Sequence, residues 1–171
     1  MLAAAAGGDR RAFERIYLAY KDDLLTLAAL MLGDRQAAED VLHDVFVSLA
    51  RRIGRLTLSG SLKGYLLTSC ANRARDLLRR RSVRPNPTDV LEIAVCGDPA
   101  KAAEMAEETA RAVAALTRLP SEQREVVTLR IHGQFTFREV ARLLEIPINT
   151  AKSRYRYALG SLQKELDHDH R

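Results

Sequence analysis

The segment TFREVARLLEIPINTAKSRYRYALGSLQKEL, residues 136–166, holds two helical patterns separated by a four-residue interruption. Thr136 and Glu139 have the T-x-x-E spacing of a capping box, in which hydroxyl and carboxylate each satisfy an orphan amide at a helix start. Phe137, Val140, Ala141 and Leu144 follow at helical spacing. Glu145-Ile146-Pro147-Ile148 breaks the pattern, and Asn149 is placed to cap a longer helix with Ala151, Tyr155, Ala158, Leu159, Leu162 and Leu166 inward. Short helix, tight turn and longer helix make the helix-turn-helix layout, which holds the first turns of its second helix out for a major groove. The exposed side of those turns carries Asn149, Ser153, Arg156 and Tyr157, with Thr150, Lys152 and Arg154 on its flanks. Arg and Lys there can donate to guanine edges, whereas Thr, Ser and helix-start amides suit phosphates. Arg138, on the preceding helix, is placed to meet the DNA backbone. The plain alternative is a small protein-binding domain with an ordinary basic face. Capping box, Pro-containing turn and basic first turns in one order favour duplex DNA.

Working upstream, Gly133 ends a helix that runs from Glu122 to about Ile131 and that Ser121 can cap, while Pro120 stops an earlier Ala/Glu-rich helix passing through Val113 and Leu116. From Ser82 to Pro99 the chain holds Pro85, Pro87, Pro99 and Gly97 without apolar periodicity, which predicts a linker. Before it, Phe13, Ile16, Tyr17, Tyr20, Leu24, Leu27 and Met31 form one helical stripe from about Asp9 to Leu32, closed by Gly33. Asp34 offers an N-cap to the next helix, whose inward side is Ala38, Val41, Leu42, Val45, Phe46, Leu49 and Ile53. Its other side presents Glu39, Asp40, His43, Asp44 and Val47, either a solvated face or a docking surface for a basic helix.

Thr57 to Ser61 reads as a loop, and Leu62–Arg81 as a third helix with Leu62, Leu66, Cys70, Ala74 and Leu77 inward. At 100° per residue the opposite face collects Tyr65, Thr68, Asn72, Arg75 and Arg79. An aromatic ring, hydrogen-bonding groups and guanidinia in line suit a single strand, with bases stacking on the ring and arginines neutralising phosphates. A basic solvated helix is the bland alternative.

The expected fold class is therefore all-α: two small helical domains joined by a linker, the C-terminal one a helix-turn-helix, with boundaries 1–81, 82–99 and 100–171. Composition agrees. Of 171 residues 47% are hydrophobic but only 5% aromatic, with no tryptophan, which favours Leu/Ala/Arg-rich helices over aromatic-rich sheets. The formal charge of +5 is unevenly spread: +5 over residues 1–81, −3 over 82–112 and +3 over 113–171, two basic blocks around an acidic middle. Two cysteines, Cys70 and Cys96, without a CxxC or a His-rich neighbourhood, argue against a zinc site or disulfide framework. Asp167-His168-Asp169-His170 reads as a frayed helix end rather than a metal patch. No stretch has the length and apolarity of a membrane span or a leader, so no membrane is expected and the chain is expected to be cytoplasmic.

Taken together, Asp40-Val41-Leu42-His43-Asp44-Val45-Phe46, Tyr65-Leu66 with Ala71-Asn72-Arg73, Leu119-Pro120-Ser121-Glu122-Gln123-Arg124, Phe137-Arg138-Glu139-Val140-Ala141 and Asn149-Thr150-Ala151-Lys152-Ser153-Arg154 resemble the two-domain RNA polymerase sigma factors of the extracytoplasmic-function (ECF) group. The resemblance covers nearly the whole chain. It implies that the first domain docks Asp40–Phe46 on the beta-prime clamp helices of core RNA polymerase, and that Asn72 and the neighbouring arginines grip the non-template strand of the minus-ten element. Asp40, His43 and Asp44 would face the polymerase, with Val47 beside them. Thr150, Lys152, Ser153 and Arg154 match recognition positions for the minus-thirty-five duplex. An anti-sigma factor is implied as a partner by the resemblance alone. Three departures are Tyr65 where tryptophan is common, His43 where glutamine is common, and Ala151 where valine is usual.

The rival reading is a stand-alone helix-turn-helix regulator whose N-terminal half dimerises or senses, binding palindromic DNA without polymerase. An enzyme is a poor fit: His43, His132, His168 and His170 have no partner serine, cysteine or carboxylate at nucleophile-and-base spacing. No catalytic residue, cofactor or metal is expected.

Overall fold

The computed structural model describes residues 2–58, 60–81 and 111–169, with side chains as far as residue 165 apart from that of residue 81. The expected linker, Cys96 and the terminal histidines' side chains lie outside the described residues. Among the described residues there is no strand. The helices are α1 (Leu2–Ala6), α2 (Arg10–Leu32), α3 (Arg35–Arg52) with a 3₁₀ turn at Ile53–Arg55, α4 (Leu62–Arg81), α5 (residues 111–118), α6 (Ser121–Ile131), α7 (Phe137–Leu144) and α8 (Ile148–Asp169).

Local chemistry explains most boundaries. The Asp9 carboxylate accepts from the Arg11 and Ala12 amides (2.9 and 3.1 Å) to open α2. Gly33, with φ 66°, closes α2, its amide donating to Ala29 O, because the left-handed region is least costly for glycine. Asp34 then caps α3 through the Ala37 amide (3.0 Å). Ser61, placed in a loop by its sequence context, caps α4: its hydroxyl oxygen accepts from the Gly64 amide at 3.0 Å. The Thr136–Glu139 capping box is formed in both directions. Two expected caps are corrected. Pro120, not Ser121, precedes α6, its carbonyl receiving the Gln123 and Arg124 amides with no side-chain cap. Likewise α8 begins at Ile148 on the Pro147 carbonyl, which places Asn149 inside the first turn instead of at the cap. Helix α1 was not foreseen; five residues give too short a window for periodicity.

The α3 stripe is buried in full, from Ala38 to Ile53. On α2, Ile16, Leu24, Leu27 and Met31 are buried, but Tyr17 lies at the stripe edge and is 37% exposed, its ring tilted against Phe46 at 4.8 Å. On α4, Leu66, Cys70 and Ala74 are buried as expected, with Leu67 and Ala71 beside them. On α8, Ala151 and Ala158 are buried, whereas Leu159, expected inward, is 39% exposed; Leu166 has no described side chain. At 100° per residue Leu159 follows Ala158 around the helix and leaves the packed stripe.

The two helical units do not stand apart. Helix α6 packs on α2 and α7 on α4, and buried Val126, Leu129, Val140 and Leu144 join the same apolar core as the N-terminal helices. A smaller cluster of Leu119, Val127 and Ala158 holds α8 to α5 and α6. Each fully buried leucine or valine in these cores is worth about 1.5–3 kcal/mol of transfer free energy.

Candidate nucleic-acid interface

The helix-turn-helix is built from the sequence motif upward. Glu139 Oε2 accepts from the Thr136 amide and hydroxyl, both at 2.7 Å, and this pulls its carboxyl below the usual carboxylate range. Phe137 meets Tyr155 edge-on at 5.4 Å between ring centroids, and the Arg130 guanidinium lies 4.8 Å over the Phe137 ring. Glu145, in the left-handed region at φ 53°, turns the chain from α7 toward α8. Buried Ala151 and Ala158 define the inner side of α8.

On the outer side Asn149, Lys152, Arg156 and Tyr157 are exposed, and Arg138 is exposed on α7. The Arg156 guanidinium stacks 5.4 Å from the Tyr157 ring centroid. Thr150 and Ser153 are half-buried, the Ser153 hydroxyl donating to Thr150 O at 3.0 Å. Arg154 is different: its guanidinium pairs with Glu122 at 2.6 Å, only 24% of the side chain is exposed, and it braces α8 against the start of α6.

The α4 face is assembled less uniformly than its periodicity implied. Asn72 and Arg79 are exposed, Tyr65 and Thr68 are half-buried, and Tyr65 packs partly on the core. Arg75 turns toward the second unit, where its guanidinium donates to the main-chain oxygens of Leu143 and Leu144, the latter at 2.6 Å. On α3, Asp40, His43 and Asp44 are exposed and Val47 is half-buried. Asp44 pairs with Arg73 of α4 at 2.7 Å, and Glu39 with Arg35 at 3.0 Å. Beside His43 and Val47 a groove of about 550 Å³ opens between α2 and α3, floored by Phe13, Tyr17, Leu42 and Phe46. Periodicity gives no sign of this groove because it places Tyr17 on the core stripe.

Glu125, Arg124 and Cys70 are the other perturbed groups. Burial pushes the Glu125 carboxyl up, opposed by Arg75, Arg124 and Arg154. Burial also lowers Arg124, whose guanidinium donates to Thr117 O at 3.1 Å. The Cys70 thiol, donating to Leu24 O at 3.4 Å, is pushed up to about 12 by burial. In all three the first cause of the shift is burial. Among the described residues no group of three or more His, Cys, Asp or Glu could hold a metal ion, and no helix is long and apolar enough to cross a membrane.

Residues 16–84 match the Sigma-70 region 2 family and residues 109–162 match the Sigma-70, region 4 family. The chain is 31% identical over 181 aligned residues to the ECF RNA polymerase sigma factor SigK of Mycobacterium tuberculosis, covering 98% of this chain and 92% of SigK. It is 32% identical to SigM of the same species (97% and 83% covered) and 26% identical to the RNA polymerase sigma-H factor of Pseudomonas aeruginosa (93% and 88% covered). In fold it is similar to the sigma factor RpoE of Bartonella quintana, solved with the anti-sigma factor NepR, with a TM-score of 0.68 at 21% identity over 92% of this chain and 98% of that one. CnrH, solved with the cytosolic domain of CnrY, gives a TM-score of 0.60 at 24% identity, with 98% and 96% covered. Both family matches in one chain, in order, favour this class over a stand-alone regulator. The chain belongs to the ECF RNA polymerase sigma factors.

Proposed function

We propose that the chain binds core RNA polymerase through the exposed side of α3, captures unpaired promoter bases on α4 and reads upstream duplex with the first turns of α8. Sigma factors bind core polymerase, select promoters and help to melt them, and this family membership sets the task. The residue assignments are ours. One observation carries them: Asn149, Lys152, Arg156 and Tyr157 are exposed on the first turns of α8 while Ala151 and Ala158 on the same helix are buried, so the motif presents donors outward from a fixed core.

The physical sequence needs no catalytic group. Cation–phosphate contacts give affinity and register, base-edge contacts give sequence choice, and unpaired bases held on Tyr65 and Asn72 offset the cost of opening the duplex, a few kcal/mol per disrupted step. If each unit neutralises about three phosphates, affinity falls by roughly a thousandfold between low and physiological salt. His43 and Val47 line the groove together with Glu39 and Asp22, which sets carboxylates next to apolar surface and suits a basic, amphipathic helix of the polymerase, while Asp40 and Asp44 extend the acidic strip toward α4, where Asp44 is paired with Arg73. The chain acts as an initiation factor rather than an enzyme on this reading, and works wherever the polymerase is, in the cytoplasm. An anti-sigma factor is a further partner in this proposal.

The test is selection of bound promoters with reconstituted holoenzyme, followed by single substitutions. Lys152→Ala and Arg156→Ala should each weaken duplex recognition by about 1–3 kcal/mol and relax base preference at one position. Asn72→Ala should spare duplex binding and reduce open-complex formation. Unchanged initiation in all three variants would defeat the assignments.

A further inference from the structure

Arg130 stands on α6, outside every contact assigned above to DNA or polymerase, yet its guanidinium reaches both parts of the chain that lead to α8. It donates to the Phe135 main-chain oxygen in the turn between α6 and α7, and it lies 4.8 Å over the centre of the Phe137 ring in the first turn of α7. Phe137 in turn meets the half-buried Tyr155 of α8, with 5.4 Å between centroids and 79° between ring planes. One chain of contacts therefore runs from α6 through α7 to α8. Both of its links depend on direction: a cation is drawn to the face of a ring, and two rings prefer edge-to-face over a parallel sandwich.

Little else fixes the rotation of α8. The inner side of its first three turns carries Ala151, Tyr155 and Ala158, and the two alanines offer little to interlock. The Arg154–Glu122 pair also ties α8 to α6, but Glu122 is 66% exposed and the pair joins two flexible stems. Lys152 and Arg156 flank Tyr155 around the helix at about 100° per residue, so they follow any rotation that Tyr155 permits. The guanidinium is also costly where it stands. Its Nε is buried with no hydrogen-bond partner among the described residues, and a buried donor left unmade works against stability. An apolar side chain of the same length would fill the place without that cost, so packing alone does not account for an arginine.

We propose that Arg130 is a positioning residue for promoter reading: acting through Phe137 and Tyr155, it sets the rotation of α8 and so the aim of Lys152 and Arg156. This rests on the assignment of α8 to upstream duplex made above. Binding groups hold their geometry only within about 0.5 Å and 10–20°. Loosening the stack should therefore blur every base position that α8 reads, whereas loss of one reading side chain blurs one position.

The test uses holoenzyme reconstituted with Arg130→Met, Arg130→Lys, Tyr155→Leu or the Arg130→Met/Tyr155→Leu pair. Bound promoter sequences are selected at a temperature at which circular dichroism shows each variant fully folded, and the salt dependence of duplex binding is measured alongside. Arg130→Met should lower the ratio of specific to non-specific affinity by roughly five- to tenfold, with preference flattened across the upstream element. Its salt slope should match the parent's, because Arg130 touches no phosphate. Arg130→Lys keeps a cation but has no planar fork to reach ring and carbonyl together, and should lose less. Tyr155→Leu should flatten the same positions, and the pair should lose no more than the worse single variant, since both act along one path. Unchanged preferences in folded Arg130→Met and Tyr155→Leu would reduce the stack to packing and overturn the proposal. A salt slope smaller by about one would make Arg130 a phosphate contact, and additive losses would deny the shared path; either overturns it too. If Arg130→Met does not fold, Arg130→Lys and Tyr155→Leu decide by the same criteria. Arg156→Ala and Lys152→Ala in the same selection separate the two layers. If they alter preference while the Arg130 and Tyr155 variants do not, the α8 assignment stands and the positioning role falls; if they alter nothing, α8 does not read the duplex and the role falls with it.

Discussion

Gly133→Ala and Gly160→Ala should shift stability in opposite directions. Replacing glycine by alanine at a compatible position stabilises by about 0.4–1 kcal/mol, because the unfolded chain loses freedom. Gly160 is such a position: it lies within α8, and a Cβ there meets nothing within 4 Å. Gly133 is not. A Cβ there would lie 2.7 and 2.8 Å from two carbons of the Phe135 ring and 2.8 Å from the Leu129 carbonyl oxygen. Neither neighbour yields easily. Phe135 is 7% exposed, its amide donates to that same Leu129 oxygen at 3.0 Å, and its own carbonyl is held by the Arg130 guanidinium. Relieving such overpacking typically costs about 1–3 kcal/mol, which outweighs the entropy gain and leaves a net loss of roughly 1–2 kcal/mol. With a urea slope of about 1–3 kcal/mol/M, the unfolding midpoint should fall by roughly half to one molar for Gly133→Ala and rise by a smaller amount for Gly160→Ala. Because Gly133 joins α6 to α7, duplex affinity of the first variant should fall as well. A Gly133→Ala protein as stable as the parent, or a destabilised Gly160→Ala, would refute the reasoning.

Further outcomes follow from the caps and the buried groups. Thr136→Ala removes the capping hydroxyl of α7 and should cost about 1 kcal/mol in urea unfolding; no change would show that the box is not formed in solution. Cys70, buried with its thiol pushed up to about 12, should resist thiol reagents at neutral pH until the protein unfolds; labelling at the rate of a free thiol would contradict that burial. Glu125 and Glu139 should give opposite pH signatures, read by urea unfolding across acid to neutral pH. The folded Glu125 carboxyl titrates above its unfolded value, so its stabilising effect is complete at low pH and is lost as pH rises; the stability of Glu125→Gln relative to the parent should improve toward neutrality. Glu139 titrates below its unfolded value, so its contribution is present at neutrality and lost in acid, and Glu139→Gln should fall further behind the parent as pH rises. Identical trends for the two variants would refute both assignments.

Helix existence and type were legible because the signals were local. The α3 stripe, the Gly33 and Asp34 boundary and the Thr136–Glu139 box each depend on residues within about two turns of one another, and each formed as its residue pattern required. Boundaries went wrong where two chemistries competed for one place. Ser121 and Asn149 are good capping residues, but each stands one or two places after a proline whose carbonyl already receives the first helical amides. Tyr17 departs from the stripe for another reason: it lies three to four residues from other apolar positions, but it meets α3 only at the rim, its ring tilted against Phe46, and it lines the groove between the two helices.

The site was legible as a set of faces and much less so as a set of free side chains. Periodicity assigns a residue to one side of its own helix, and says nothing of what another helix brings to that side. Arg75 and Arg154 both fall on the sides expected, and both guanidinia are taken by protein acceptors, the α7 carbonyls in one case and Glu122 in the other. For a long cation the local pattern fixes the direction of Cβ, while the last several ångströms are decided by whichever acceptor reaches it first. The consequence for recognition is specific. With Arg154 spent on holding α8 to α6, Lys152 and Arg156 are the cations left exposed on the first turns of α8. Of these only Arg156 has the planar fork that reads a guanine edge bidentately, and it is stacked on Tyr157. Base discrimination by α8 should therefore fall most steeply at the position that faces Arg156, and Arg156→Lys, which keeps the charge, should lose much of that discrimination while retaining most of the salt-dependent affinity.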